Sequence, residues 1–275
     1  MTISDATKKT KTGWGLGWSQ KDMMEKDTVV VVDGADQILG SASKLDSHVF
    51  SKSQPHGVLH RAFSVFIFDK STGKLLLQQR AASKITFPNV WTNTCCSHPL
   101  HGMTPNEVDT PEDVANGSVP GVKHAAIRKL GQELGIPESQ LDLNRFQFLT
   151  RLHYWAADTV THGKQAPWGE HEIDYVLLYS VDKASDLTLS PHPDEVQAVK
   201  WVSQSELQDM LDDKSLLLSP WFRIIVQRWL FTWWKDLSRA LQPNSKYCDY
   251  TNIHEFDPRP EHVGGAGNAQ ALFDA

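Results

Sequence analysis

Residues 62–80 constrain the fold more than any other stretch of this chain. Two strand-like apolar runs, AFSVFIFD and KLLLQQR, flank Lys70-Ser71-Thr72-Gly73, and β-prone runs joined by a short Gly-containing connection predict a β-hairpin. Further strands are expected over 28–33, where a β-branched run ends at Asp33-Gly34, over 146–155 and over 173–181, with extended chain over 88–97. Residues 106–120 are acidic and carry Pro111, Gly117 and Pro120, which predicts a loop. The segment 121–134 reads as a helix: Val122, Ala125, Ala126, Leu130 and Leu134 recur on one face, and Gly135 ends it. Ser203 and Glu206 give a capping-box signature for a helix over 203–211. The aromatic-rich stretch 220–241 predicts a second helix packed on the main body. Strands with one central helix and a C-terminal helical layer imply an α/β (α+β) sandwich around a mixed sheet. The expected organisation is a loose arm over 1–26, one domain over 27–242 and a flexible tail over 243–275.

The length of 275 residues suits one sizeable domain with extensions. A net charge of −6 argues against nucleic acid or an anionic membrane as the main partner, and leaves an anionic small molecule open. Cys95, Cys96 and Cys248 are a poor disulfide framework, so a reducing compartment is expected. No apolar run is long enough to predict a membrane span. The first 25 residues lack a secretory apolar core, and their acids argue against a transit peptide. The expected location is cytoplasmic, with plastid or peroxisome left open; the expected state is a monomer.

Chemistry-bearing residues gather in two short segments, 91–99 (WTNTCCSHP) and 168–175 (WGEHEIDY). In extended chain, positions two apart face the same way. Cys96 and His98 therefore share a face, with Cys95 opposite; Glu170 and Glu172 share another, with His171 opposite. Three histidines with two carboxylates would make an N/O site for Mn²⁺, Mg²⁺ or Zn²⁺. Taken singly, each residue also fits a plain role: Cys96 as a small buried apolar group, His48, His60 and His98 as core or surface histidines, and the glutamates on a solvated edge strand.

Arg128-Lys129-Leu130-Gly131-Gln132-Glu133-Leu134-Gly135-Ile136 resembles the Nudix helix Arg-Glu-apolar-x-Glu-Glu-x-Gly-apolar at Arg128, Leu130, Glu133, Gly135 and Ile136. Lys129 and Gln132 stand where Nudix hydrolases keep metal-binding glutamates, so the hydrolytic metal cluster reads as dismantled. Segments 91–99 and 168–175, with Leu59-His60-Arg61-Ala62-Phe63, resemble the signatures of type I isopentenyl-diphosphate delta-isomerases, and the likeness extends over about 29–241.

The resemblance implies a Nudix-like α/β/α sandwich that interconverts isopentenyl and dimethylallyl diphosphates in isoprenoid biosynthesis. It implies Cys96 and Glu172 as the acid–base pair on opposite faces of the substrate. Tyr154 would be bonded to the acid, and Trp221 would lie against a carbocation. It assigns His60, His98, Glu170 and Glu172 to one divalent metal, completed by His48 or by its rival His56. Glu133, with the Cys96 carbonyl, would meet a Mg²⁺ carried by the diphosphate. Lys44, Arg80, Lys84 and Lys129 match the basic diphosphate contacts. Three other readings stand beside this one: a Nudix diphosphate hydrolase, a non-catalytic binding module, and one piece of a fused isoprenoid enzyme with a linker after Pro243.

Overall fold

A computed structural model describes residues 9–10, 15 and 17–256. After helix α1 (Gln20–Lys26) come the antiparallel pair β1 (Thr28–Val32) and β2 (Ile38–Ser43) and the short helix α2 (Lys44–His48). Strands β3 (His60–Asp69) and β4 (Lys74–Arg80) are the expected hairpin, and the expected extended segment holds β5 (Trp91–Thr92) and β6 (Cys95–Ser97). Helices α3 (Pro111–Ala115) and α4 (Pro120–Leu134) follow, then β7 (Gln147–Ala157), β8 (Gly169–Val181), β9 (Val196–Val202) and α5 (Gln204–Asp212). The aromatic helix α6 (Pro220–Ile225) continues through a π-helical turn, Val226–Leu230, into α7 (Phe231–Lys235), and β10 (Ile253–Phe256) closes the described chain. No helix among the described residues is long and apolar enough to cross a membrane.

The main sheet runs β9-β4-β3-β8-β7-β10. It is mixed: β8 is parallel to β3 and β10 to β7, while β3–β4, β4–β9 and β7–β8 are antiparallel. Both faces are covered. Phe66, Phe68, Val176 and Leu178 pack against Phe222, Ile225, Trp233 and Trp234 of the aromatic helix. Val65, Ile67, Tyr175 and Leu177 pack against Val122, Ala126, Leu130 and Leu134 of α4. Every residue of β3 is buried, which is why its apolar run is nearly continuous rather than alternating. Helix α4 stops at Gly135, whose φ of +65° suits glycine and whose absent Cβ leaves room for the Ser190 carbonyl.

The hairpin strands pair next to their turn, from Ile67↔Leu76 to Asp69↔Lys74, and then part company. Strand β4 goes on with β5 (Gln79↔Trp91), and β3 with β6 (Ser64↔Cys96). Residues 91–97 thus wedge between them, and side chains from α4 reach into the opening.

Composition misled in several places. The acidic stretch 106–120 contains α3, and its Glu107 and Asp109 carboxylates are buried anchors. Asp109 accepts from the Gly121 and Val122 N–H groups at the start of α4, at 2.6 and 2.9 Å. Glu107 accepts from Arg128 at 2.7 and 2.8 Å. Part of the expected arm is ordered: α1 opens with a capping box between Ser19 and Asp22. Part of the expected tail is also ordered, because 253–256 adds β10 beside β7. The rest of arm and tail, apart from 9–10, 15 and 17–18 and the stretch up to 252, lies outside the described residues. The helix expected over 220–241 is interrupted by the π-helical turn and again at Asp236.

A buried ion network ties the β1–β2 turn to the sheet. Asp36 accepts from Arg61 Nε at 2.7 Å, from Arg151 Nη1 at 2.9 Å and from the Tyr175 hydroxyl. Arg61 also donates to the Asp109 carbonyl at 2.7 Å. Replacing Asp36 by Ala leaves two buried guanidinium groups without their shared counter-charge, which costs about 3–5 kcal/mol. A urea titration of D36A is expected to show a large fall in midpoint with little change in slope.

Candidate metal and acid–base site

The strand registers assemble the site. Cys96 lies opposite Ser64, and Glu172 lies between His60 on β3 and Tyr154 on β7. Opposed residues project to the same face, so His60, Cys96, Tyr154 and Glu172 all point to the side covered by α6. The two-residue period puts Glu170 with them. Cys95 is packed on the α4 side, and His171 faces His153 with the two Nε2 atoms 3.0 Å apart.

His48, His60, His98, Glu170 and Glu172 are all buried and offer ligand atoms within 4.8 Å of one another. His48 Nε2 lies 2.7 Å from Glu170; His98 Nε2 and His60 Nε2 lie 2.8 and 3.8 Å from Glu172 Oε1. The far ring nitrogens are tied back. Nδ1 of His48 meets the Lys44 carbonyl and Nδ1 of His60 the Val58 carbonyl, both at 2.7 Å. Each Nδ1 therefore donates to its carbonyl, and each Nε2 faces the cluster. Arg128, gripped by Glu107, fixes the His98 backbone by donating to its carbonyl at 3.1 Å.

Burial, helped by nearby His48, lowers His60 to about 3, and burial with His60 alongside lowers His98 far below the usual imidazole range. Both imidazoles are neutral, and the buried Nε2 of His60 has no hydrogen-bond partner. Neutral imidazoles, an orphaned Nε2 and two carboxylates are a donor set that fits a divalent metal ion. His56 stands apart: its ring stacks on Trp155 at 3.9 Å. The candidate fifth ligand that reaches the cluster is His48.

Cys96 on β6 and Glu172 on β8 flank β3 from its two sides and line one small cavity of about 20 Å³ with Tyr154 and Trp221. Burial pushes the Cys96 thiol up to about 12, against the pull of Arg80, whose Nη1 lies 3.9 Å from the sulfur. Burial, then Glu170 and Asp174, raise Glu172 well above the usual carboxyl range, and the Tyr154 hydroxyl donates to its Oε2 at 2.5 Å. Trp221 is at once core and cavity wall. Its Nε1–H donates to Asn93 at 3.1 Å, its ring packs near Phe87 and Tyr154, and the Arg80 guanidinium lies 5.7 Å from the ring centre.

Lys44, Arg80, Lys84 and Glu133 line the same cavity. Arg80 is locked by donating to the carbonyls of Phe87 and Thr86 at 2.9 and 2.7 Å. Glu133 receives Gln78 Nε2 at 3.0 Å and lies 3.2 Å from Lys129 Nζ. Burial, then the Lys84 ammonium, lower the Lys44 amine. Gln78, Asn93, Glu107 and Glu195 also shape the site. None has a spacing signal in the sequence, because each arrives from an element whose position depends on the folded sheet.

A family profile described as NUDIX domain matches residues 58–222. The chain is 44% identical over 235 residues to the isopentenyl-diphosphate delta-isomerase of Schizosaccharomyces pombe, covering 86% of this chain and 93% of that protein. It is 44% identical over 247 residues to the isopentenyl-diphosphate delta-isomerase of Aspergillus fumigatus, with 87% and 82% covered. A Clarkia breweri protein, isopentenyl-diphosphate Delta-isomerase I, is 39% identical over 246 residues, with 88% and 78% covered. On these relatives the chain belongs to the isopentenyl-diphosphate delta-isomerases, a family built on the NUDIX domain.

Proposed function

We propose that the chain interconverts isopentenyl and dimethylallyl diphosphates in isoprenoid biosynthesis, with Cys96 and Glu172 as its acid–base pair. The observation that carries this reading is their placement on either side of β3 in one buried cavity whose lining also holds the Trp221 ring and the cations Lys44, Arg80 and Lys84.

An unactivated alkene is a weak base and needs a desolvated acid. The π electrons of isopentenyl diphosphate take a proton from one member of the pair at the terminal carbon, leaving a tertiary cation. The other member removes a proton from the neighbouring methylene, and that C–H electron pair becomes the new double bond. The two members exchange roles when the reaction runs backwards. Tyr154 holds the Glu172 carboxyl in place. The Trp221 face stabilises the cation by about 0.5–2 kcal/mol.

His48, His60, His98, Glu170 and Glu172 would hold a divalent ion, Mn²⁺, Mg²⁺ or Zn²⁺, which supplies positive charge beside the Glu172 carboxyl. Glu133 would face a Mg²⁺ brought in with the diphosphate. Lys44, Arg80, Lys84 and Lys129 would neutralise and orient that diphosphate. A diphosphate hydrolase is the weaker reading, because Lys129 places an ammonium beside Glu133 where a second carboxylate is needed to activate water.

Incubated with isopentenyl diphosphate and Mg²⁺ in D₂O, the protein should place deuterium in a new methyl group as dimethylallyl diphosphate forms, read by NMR. Cys96→Ala and Glu172→Gln should both abolish it. Undeuterated substrate, or phosphate release, would sink the isomerase reading. Elemental analysis supplies a second check. His60→Ala should weaken metal retention by at least ~10-fold, and chelation should remove turnover that returns with added divalent ion.

A further inference from the structure

Glu195 sits in the Pro-rich loop before β9, outside every segment that carries the resemblance, and it is 5% exposed. Its Oε2 lies 2.5 Å from Lys84 Nζ and 3.9 Å from Lys129 Nζ. Its Oε1 accepts from Gln20 Nε2 of helix α1 at 2.9 Å. The backbone is pinned as well: the Glu195 carbonyl accepts from Ala81 N–H at 3.0 Å, and its own N–H donates to the His192 carbonyl at 2.9 Å. A carboxylate held at both oxygens and at both backbone groups is a rigid support. It stands where the small inner cavity, lined by Lys84 and Glu133, borders an outer cavity of about 520 Å³ lined by Trp18, Ile136, His192 and Glu195 itself.

We propose that Glu195 is a positioning residue for the diphosphate end of the site, bracing Lys84 and Lys129 so that both ammonium groups face the bound anion. The proposal rests on the isomerase reading for the identity of that anion. Each lysine ammonium has three donors. Glu195 accepts from Lys84, so donors remain for phosphate oxygens, and the carboxylate supports the diphosphate rather than competing with it. Without Glu195, two buried ammonium groups would repel each other and Lys44 and turn toward the outer cavity. The preorganisation that makes anion binding favourable would be lost. The charge relations agree: burial opposes ionisation of Glu195, yet Lys129 and Lys84 hold its carboxyl below the usual range. Helix α1 enters the same relay, because Gln20 also donates to the Asp194 carbonyl at 3.0 Å.

A support of this kind strengthens binding of ground state and transition state alike, so its loss should appear in KM and not in kcat. In the full-length protein, Glu195→Gln is expected to raise KM for isopentenyl diphosphate about 10-fold, the loss of one charge-assisted bond. The kcat should stay within about twofold. Glu195→Asp, which keeps the charge but withdraws it by one methylene, should lie between wild type and Glu195→Gln. In a Lys84→Ala background, Glu195→Gln should add less than it does in wild type, because only the Lys129 arm of the brace is left to lose. Titration calorimetry with inorganic diphosphate reads the same support without turnover and should weaken in parallel. An unchanged or lower KM in Glu195→Gln, a fall confined to kcat, full additivity with Lys84→Ala, or undiminished diphosphate binding would each overturn the proposal. If wild type fails to isomerise while diphosphate binding still weakens in Glu195→Gln, the isomerase reading falls and the bracing role stands.

Discussion

The register of β3 with its two neighbours is the constraint on which the site depends. Strand β3 is covered on both faces, so its alternate residues are committed to opposite layers. Slipping β6 by one residue would exchange Cys96 for Cys95, and slipping β8 would exchange Glu170 and Glu172 for His171. Each slip would also drive apolar side chains from one packed layer into the other, so packing far from the cavity enforces the chemistry inside it. The candidate site lies beyond the Ile67–Leu76 pair, where the hairpin strands part and the 91–97 wedge makes room for a cavity.

Charge is the second constraint. Carboxylates and cations are buried throughout this protein, and each set is closed by its own partners. Asp36 serves Arg61, Arg151 and Tyr175 on the α4 side; Glu107 serves Arg128; Glu133 and Glu195 serve Lys84 and Lys129. Buried pairs seldom add net stability, because desolvation offsets their attraction. Their consistent role here is geometric. Arg61 follows His60 on the same strand, yet it points to the opposite face and locks the turn of β1–β2, while His60 points into the His/Glu cluster. Arg128 reaches from α4 to hold the backbone of His98. The Arg128–Glu107 pair thus steadies a cluster residue through its backbone, from outside the ring of side chains.

Much of the fold was legible because it rests on local pattern. The hairpin, the α4 face from Val122 to Leu134, the Gly135 stop and the Ser203 cap are all short-range signals, and they reappear where expected. The alternation that paired Cys96 with His98 and Glu170 with Glu172 is likewise local, and the structure brings these residues together. What stayed hidden is long-range. Lys44 and His48 lie on a five-residue helix too short for periodicity to reveal; only the resemblance, with His48 four residues after Lys44, favoured His48 over His56. Glu195 contacts Lys84 across 111 residues of sequence. The acids at Glu107 and Asp109 looked like loop composition because a carboxylate capping a helix or gripping an arginine has the same letter as one in water. The edge strand β10 was missed for a similar reason: Ile253–Phe256 follows a polar, turn-rich stretch, and its only reason to be extended is the free edge of β7.

The same helix also sets the chemical direction of the site. In a hydrolytic NUDIX helix, carboxylates at these positions gather metal ions that activate water against a diphosphate. Here Lys129 holds an ammonium 3.2 Å from Glu133, and Gln132 accepts from Arg128 at 3.4 Å. Positive charge in that place favours holding a diphosphate intact over attacking it. In the proposed reaction the diphosphate is a handle and the reacting atoms lie at the other end of the molecule, beneath Trp221 and between Cys96 and Glu172. In that proposal, an ammonium beside Glu133 in place of a carboxylate, with a thiol and a buried carboxyl lining the cavity, relocates the chemistry on the same framework of sheet and helix.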